Sequence, residues 1–174
     1  LLKALASYCQ KKGLSHYLGE ELETADKKEG VFRLVTKKGL TISANKVVIS
    51  AGLGAQKIGP LFGFLGLVSP QRGQILVTEK ISPVLNRPSV TIRQVDEGAI
   101  QIGDSQEQTG LNDKETQAQM SRIARNAIKV MPKLAQLRLV RAWGSLRVMS
   151  PDGLPIYHQS VSYTHLRAHE TDIN

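Results

Sequence analysis

The 174-residue chain carries 23 lysines and arginines against 15 aspartates and glutamates, a net charge of +8, and 41% of its residues are hydrophobic. This is the composition of an ordinary globular protein, long enough to bury a core. No apolar run approaches the roughly 18 residues of a transmembrane helix and no signal peptide opens the chain, so of the membrane classes only peripheral contact stays open.

The charge distribution and the cysteine content exclude further classes of protein. Basic residues are spread along the sequence without interleaved aromatic residues, which favours a solvated basic surface over a nucleic-acid interface. Cys9 is the single cysteine, so a disulfide framework and a thiolate metal cluster are excluded. We expect a cytoplasmic location, because free cysteine without disulfides is typical of a reducing compartment.

The first part of the chain is predicted to form a helix followed by short strands. Apolar residues at helical spacing predict a helix over Leu1–Lys12, ended by Gly13. Strands are predicted at Ser15–Leu18, Val31–Thr36, Leu40–Ser43 and Lys46–Ser50, with turns at Glu29-Gly30 and Lys38-Gly39. The run Val47-Val48-Ile49 is typical of a strand buried on both faces.

That last strand leads through Ser50-Ala51-Gly52-Leu53-Gly54 into a short helix near Ala55–Ile58. A strand, a turn of small residues and a helix in this order let backbone N–H groups approach a phosphate. An ordinary tight turn is the alternative. The glycines fail the dinucleotide spacing Gly-x-Gly-x-x-Gly, because Lys57 stands where the third glycine is required.

From Gln71 onward the pattern changes to antiparallel sheet and one long helix. Strands are predicted at Gly73–Glu79, Pro88–Gln94, Ala99–Asp104 and Leu137–Leu146, with Asp96-Glu97-Gly98 as a hairpin turn. The helix is predicted from about Lys114 to Val130, with Asp113 as its N-cap. Its inner face is predicted to consist of Ile123, Ala127, Ile128 and Met131.

Arg147 is the most informative residue, since it follows an apolar strand and precedes the turn Pro151-Asp152-Gly153. An unpaired guanidinium is costly to bury, so an arginine in this setting needs an anionic partner. Its planar fork suits a carboxylate, held through two parallel hydrogen bonds. The residues alone leave two partners open, a ligand carboxylate and an internal structural salt bridge.

The last segment, residues 160–174, has neither strand alternation nor a helical stripe. It resembles a translated sequencing adapter, so we expect a non-native tail. His165 and His169 lie in this segment with a spacing that suits a metal. The motif His-Glu-x-x-His is not present, and no metal site is expected.

Several motifs, taken in order, resemble one family. They are Lys46–Gly52, Val68–Val77, Ile102-Gly103-Asp104 and the stretch from Trp143 through Arg147 to Ile156. Together they are similar to the FAD-dependent D-amino-acid oxidase superfamily, in its glycine oxidase and sarcosine oxidase branch. Ile92-Arg93-Gln94 and Arg141-Ala142-Trp143-Gly144 add a similarity to the flavoprotein subunits of opine oxidase and D-hydroxyproline dehydrogenase.

This resemblance covers about Leu1 to Gln159 and implies a mixed α/β and α+β fold. Part of a Rossmann-type FAD domain would be interleaved with an antiparallel-sheet substrate domain. The expected boundaries are 1–67 for a partial FAD-binding segment, 68–142 for the substrate-binding sheet and helix, 143–159 for the return toward the FAD domain and 160–174 for the tail. The family's N-terminal glycine fingerprint and C-terminal flavin loop are not found, which implies truncation at both ends.

The resemblance also implies FAD as the cofactor, with Leu22, Ala51 and Gly52 among the residues that bind it. The reaction implied is oxidation of the C–N bond of a small amino or imino acid by hydride transfer to the flavin. No side-chain base is required if the amine arrives neutral. Partner subunits of a hetero-oligomer are expected, and nucleic acid is not. The alternative function is a non-catalytic flavoprotein-like binding or electron-transfer subunit.

On the substrate side, Arg147 matches the family's arginine that holds the substrate carboxylate. It is therefore the expected catalytic and substrate-binding residue. Thr91 and Gln106 fall where the family lines its pocket, with an ordinary sheet role as the alternative for both. Thr91 replaces an aromatic residue of the family, so glycine is not assumed to be the substrate.

Overall fold

The chain combines helices with antiparallel strands that follow one another in runs. The computed structural model describes residues 1–159. Residues 1–158 divide between a first unit, Leu1–Gly66, and a second unit, Leu67–His158. Among residues 1–159, no helix is both long enough and apolar enough to cross a bilayer. The predicted tail with His165 and His169 lies outside the described residues.

The first unit combines helices with a three-stranded antiparallel sheet in the order β1-β2-β3. Its elements are α1 (Leu2–Lys11), β1 (Leu22–Lys28), β2 (Val31–Thr36), β3 (Thr41–Ala44) and α2 (Ala55–Ile58). The predicted turn at Glu29-Gly30 is confirmed, with positive φ angles of 49° and 83° that suit a two-residue hairpin. The turn at Lys38-Gly39 is confirmed as well, since the Gly39 N–H donates to the Thr36 carbonyl at 2.9 Å.

Two predicted strands of the first unit are wrong, because Ser15–Leu18 and Lys46–Ser50 form no strand. No strand among residues 1–159 pairs with the run of β-branched residues in the second of them, and Val48 is 86% exposed. β1 was not predicted, because five of its seven residues are charged or threonine. Pairing with β2 along the whole strand makes it extended, which shows cross-strand contacts overriding local propensity.

The second unit is a four-stranded antiparallel sheet, in the order β5-β6-β4-β7, with one long helix. Its elements are β4 (Ser69–Lys80), β5 (Ile92–Gln94), β6 (Ala99–Ile102), α3 (Gln117–Val130) and β7 (Leu139–Met149). The predicted strands and the hairpin turn ending at Gly98, whose φ is 95°, are confirmed. The ends differ, since Pro88–Thr91 is not strand and β7 continues to Met149.

The start of α3 differs from the sequence prediction. Thr116 is its N-cap and Gln117 its first residue, so the assignment of Asp113 as the cap is wrong. Asp113 lies instead beside β7, where its carbonyl oxygen occupies the space that a Cβ on Gly144 would need. A tertiary contact with the strand therefore sets the path of the chain before the helix.

The core of the second unit lies between α3 and one face of the sheet. It consists of Leu76, Ile92, Ile100, Ile102, Ile123, Ala127 and Leu134, with Ile128 and Met131 packed against it. The predicted inner face of the helix is thus confirmed. On β4 the even-numbered residues from Arg72 to Thr78 are buried. Since side chains alternate along a strand, the odd-numbered residues belong to the opposite face.

Candidate functional site

The register of the second unit brings residues from four strands to the sheet face opposite α3, here called the open face. Ile75 pairs with Trp143, and Gln71 with Arg147. Arg93 pairs with Gln101, which in turn pairs with Val77. Paired residues share a face, as do residues two apart on one strand. These side chains therefore project from the open face.

A cavity of about 270 Å³ lies on this face. Its charged lining residues are Arg93, Asp104 and Arg147. Ile75, Thr91 and Gly103 contribute an apolar side chain, a hydroxyl and backbone. A concave surface with a few convergent polar groups is the usual form of a small-molecule site. All of these residues belong to the second unit.

Arg147 is held on this cavity by two hydrogen bonds from its fork. Nη2 donates to Asp104 Oδ1 at 2.5 Å, and Nη1 donates to the Ser105 carbonyl at 2.9 Å. The two side chains stay 38% and 39% exposed. Arginine has five N–H donors, so the pair with Asp104 leaves donors for a ligand. Both partners considered from the sequence are thus compatible with the structure: an internal salt bridge exists, and the same guanidinium lines the cavity.

Gly73 explains why the Arg147 side chain can lie flat against the sheet. A Cβ built on Gly73 would come within 2.5 Å of Arg147 Nη2 and 2.6 Å of Cζ. Only glycine leaves room there for a guanidinium in van der Waals contact with the strand backbone. The residue therefore acts through close approach rather than through an unusual backbone angle.

A buried polar network supports the segment that Arg147 contacts. Ser105 donates its hydroxyl to Glu107 at 2.8 Å, and Glu107 accepts a 2.8 Å bond from Arg72, whose side chain is 4% exposed. Gln74 donates to Glu107 at 2.8 Å. The hydrogen bond from Arg72 is the largest cause that lowers the pKa of Glu107 to about 2, against the opposing effect of desolvation. The carboxylate is thus ionised and holds Ser105 in place.

Arg93 is the second cation of the cavity, and sequence reasoning assigned it no role. Its Nε donates to Gln101 Oε1 at 2.8 Å. Its neighbour Ile92 is buried in the core, so strand alternation directs Arg93 to the open face. That alternation, with Thr91 and Arg93 flanking a buried Ile92, was the signal in the sequence that could have identified it.

The predicted substrate residues are only partly brought together. Thr91 lies on the cavity, and its carbonyl accepts a 2.8 Å bond from the Gly103 N–H. Gln106 is exposed on the segment after β6 and is not among the lining residues of this cavity. Asp104 and Ser105, which sequence reasoning left without a role, are the direct partners of Arg147. Nowhere in residues 1–159 do three or more His, Cys, Asp or Glu side chains gather as a metal site would require.

The predicted cofactor residues lie in the first unit. Leu22 is half-buried at the start of β1, next to Glu21. Lys57 on α2 donates to Glu21, and hydrogen bonds from Lys37 and then Lys57 lower the pKa of Glu21 to about 2. This ion pair connects the beginning of β1 to the helix that follows the Ala51–Gly54 turn.

The turn at Ala51–Gly54, which contains two of the predicted cofactor residues, consists mostly of small residues. Gly52 has a φ of 55°, in the left-handed region that favours glycine, and opens a single 3₁₀ turn over Gly52–Gly54. Ala51 precedes it with a methyl side chain, so the backbone of both residues is unshielded by bulk. Backbone exposed in this way can approach a phosphate, although the strand predicted before the turn is not formed.

Comparison with known proteins shows that this chain belongs to a family of FAD-dependent oxidoreductases. The family model described as FAD dependent oxidoreductase, DAO, matches residues 1–171. An opine oxidase subunit of Rhizobium meliloti is 34% identical over 163 residues, which is 94% of this chain and 44% of that protein. Hydrogen cyanide synthase subunit HcnC of Pseudomonas protegens is 38% identical over 93 residues, 51% of this chain and 22% of that protein. The chain therefore spans less than half the length of these relatives.

Among solved structures, glycine oxidase from Geobacillus kaustophilus has a similar fold. It superposes with a TM-score of 0.82 at 22% sequence identity, over 93% of this chain and 45% of that one. The mixture of helix and antiparallel sheet expected from the sequence is thus found in a known fold.

Proposed function

Because the chain belongs to the family of FAD-dependent oxidoreductases that contains D-amino-acid oxidase, we propose that it is part of an enzyme that oxidises the C–N bond of a small amino or imino acid. The cofactor of this family is FAD. This chain covers 44% of the opine oxidase subunit and 22% of HcnC, so the activity proposed is that of the whole protein.

The observation that carries the proposal is the placement of Arg147 on the cavity of the open face. Its guanidinium is oriented by Asp104 and Ser105 and still reaches the cavity. A fixed fork of this kind binds a carboxylate through parallel charge-assisted hydrogen bonds. It would orient an amino or imino acid by its carboxylate, and orientation of the reacting carbon accounts for a large part of such catalysis.

In the proposed reaction, a hydride leaves the carbon bonded to nitrogen and a C=N double bond forms. When bound, FAD supplies the electron chemistry by accepting the two electrons and the hydrogen of that hydride. Water then hydrolyses the imine to a carbonyl compound and an amine. Arg147 contributes binding and orientation, and Thr91 lines the same cavity. Leu22, Ala51 and Gly52 are the residues of this chain that would hold part of the cofactor.

The test uses the complete flavoprotein that contains this chain. We expect Arg147→Gln to raise the KM for the amino or imino acid by about 100-fold or more, because one partner of a charged pair is lost. Flavin content, measured from the visible absorbance after purification, is expected to stay unchanged. The KM is measured from steady-state turnover with an artificial electron acceptor at increasing substrate concentration, and anaerobic flavin bleaching confirms that the substrate reduces the flavin.

Arg141→Gln is the matched control for this experiment. Arg141 lies on the same strand and the same face, stacks on the Trp143 ring at 5.0 Å, and does not line the cavity. It is expected to leave the KM within about two-fold of wild type. Equal kinetics in the Arg147 variant and the wild type would contradict the role of Arg147. A wild-type flavoprotein whose flavin no amino or imino acid bleaches would favour the second candidate, a non-catalytic binding or electron-transfer subunit.

Partner subunits are part of the proposal, since two of the relatives are named as subunits of opine oxidase and hydrogen cyanide synthase. Gln106 stays a predicted substrate residue, to be tested by the same kinetics. A cytoplasmic location, inferred from the single free cysteine, stays a prediction too.

A further inference from the structure

We propose that Asp104 is a specificity-determining residue of the cavity, which favours a carboxylate with an adjoining amine over a carboxylate without one. This rests on the proposed function, in which Arg147 binds the substrate carboxylate. The carbonyl compound formed when the imine is hydrolysed has lost the amine. Asp104 would therefore help the site to retain the substrate and to release the product.

The carboxylate of Asp104 has one oxygen available on the cavity wall. Asp104 lines the cavity, and its side chain is 39% exposed. Its Oδ1 accepts the hydrogen bond from Arg147 Nη2, while its Oδ2 accepts no hydrogen bond from any residue in the range 1–159. Both oxygens of a carboxylate are hydrogen-bond acceptors. The second oxygen can therefore accept a hydrogen bond from a ligand that lies against Arg147.

The charges at this position favour a ligand that carries both signs. Asp104 and Arg147 form an ion pair, and both residues line the cavity. A ligand carboxylate at Arg147 brings a second negative charge next to Asp104, and like charges placed side by side lower the affinity. An amine on the adjoining carbon offsets that repulsion, because its N–H groups can donate to Asp104 Oδ2. One residue then supplies both the repulsive and the attractive contact on which specificity depends.

The backbone is anchored on both sides of Asp104, which defines the position of its carboxylate. On one side, the Gly103 N–H donates to the Thr91 carbonyl at 2.8 Å. On the other side, Ser105 is 2% exposed, and its hydroxyl oxygen accepts from the Gln74 N–H at 2.9 Å. Because both neighbours are fixed before a ligand arrives, little ordering of this segment opposes binding.

The experiment measures the affinity of the complete flavoprotein for two probes by isothermal titration calorimetry. The probes are α-aminoisobutyrate and pivalate, which have the same branched shape and differ by an amine in place of a methyl group. Neither has a hydrogen on the carbon next to the carboxylate, so neither can lose a hydride there. We expect wild type to bind α-aminoisobutyrate about ten-fold more tightly or better.

Asp104→Asn should change the two affinities in opposite directions, because asparagine keeps the shape of the side chain and removes its charge. Pivalate binding is expected to tighten about three-fold or more, and α-aminoisobutyrate binding to weaken about three-fold or more. A role confined to orienting Arg147 would weaken both. Affinities that shift in the same direction or stay unchanged overturn the inference, as does a wild type that binds both probes equally.

Asp96→Asn is the matched control, because Asp96 is exposed in the hairpin turn, carries the same charge and does not line the cavity. It should leave both affinities within about two-fold of wild type. Arg147→Gln separates this inference from the proposed function, since it should weaken both probes about ten-fold or more. Unchanged binding of both probes in that variant contradicts the carboxylate site itself, whereas a failure of Asp104→Asn alone contradicts only the role of Asp104.

Discussion

The position of the Arg147 side chain depends on the absence of a side chain at Gly73. The guanidinium crosses β4 at Gly73 and ends at Asp104 and Ser105, so the strand backbone forms the floor beneath it. A cation placed in this way is held by contacts on three sides and still faces the cavity. Its orientation depends on Gly73 as much as on the partner carboxylate.

Gly73→Ala is therefore expected to displace the guanidinium without unfolding the protein. The new methyl group meets the far end of a flexible side chain, which can rotate away. We expect the affinity for a carboxylate substrate to fall about ten-fold or more, with the melting temperature nearly unchanged. Calorimetric titration and thermal denaturation measure the two quantities.

The double variant and a second glycine serve as controls for this prediction. Combining Gly73→Ala with Arg147→Gln should cost no more affinity than Arg147→Gln alone, since both act through one contact. Gly144→Ala, on β7, meets the rigid Asp113 carbonyl and should instead lower the free energy of unfolding by about 1–3 kcal/mol. Additive losses of affinity in the double variant would show that Gly73 acts elsewhere.

At the scale of elements, a buried ionic network joins β4 to the segment between β6 and α3. Arg72 donates to both Glu107 and the Lys114 carbonyl, and the side-chain oxygen Oε1 of Gln74 accepts from the Thr116 N–H at 2.9 Å. Because Arg72 and Gln74 face the core, the helix start is tied to the sheet by polar contacts rather than by its predicted cap. This network also supports Ser105, the carbonyl partner of Arg147.

Glu107 makes the stability of this network dependent on pH. Its pKa is about 2 in the folded protein against an ordinary value of 4.5. The unfolded chain therefore binds the proton more readily, so the stabilisation is complete above about pH 5 and is lost as pH falls toward 2. The shift corresponds to about 3 kcal/mol at pH 7.

We expect Glu107→Gln to lower the free energy of unfolding at pH 7 by about 2–3 kcal/mol and by less than half of that at about pH 3. Urea denaturation followed by circular dichroism at both pH values gives the comparison. Glu97→Gln, in the exposed hairpin turn, is the control and should change little at either pH. A loss in the Glu107 variant that is the same at both pH values would mean that the carboxylate charge is not responsible.

At the scale of the whole molecule, the apolar core is unevenly distributed. Every residue of the hydrophobic cluster belongs to the second unit. In the described part of the first unit, Phe62 is the single large apolar side chain in the buried class, packed at 6.0 Å between ring centroids against Phe32. α1 has no buried residue. The units therefore differ in the burial that could stabilise each by itself.

The segment Leu67–His158 expressed alone is expected to unfold cooperatively, because its core and its polar network are both internal to it. The segment Leu1–Gly66 is expected to show no cooperative transition. Thermal denaturation followed by circular dichroism, with hydrogen exchange on each segment, measures this difference. Strong amide protection in the first segment, or none in β4 and β6 of the second, would contradict it.

Local patterns in the sequence were sufficient where the structure depends on near neighbours. Turn residues placed the hairpins at Glu29-Gly30 and Asp96–Gly98, and helical spacing identified Ile123 and Ala127 as the inner face of α3. Alternation identified the strands of the second unit. The chemical need of Arg147 for an anion was also evident from the residues, as was the family.

Tertiary structure decided what depends on residues far apart in the chain. β1 is a strand because β2 lies beside it, and Lys46–Ser50 is not one because no strand of residues 1–159 pairs with it. Arg147 and Asp104 are separated by 43 positions and meet only through the register of four strands. Side-chain periodicity is a property of each element, whereas register is a property of their packing. Only packing could place Arg93, Asp104 and Arg147 on one cavity.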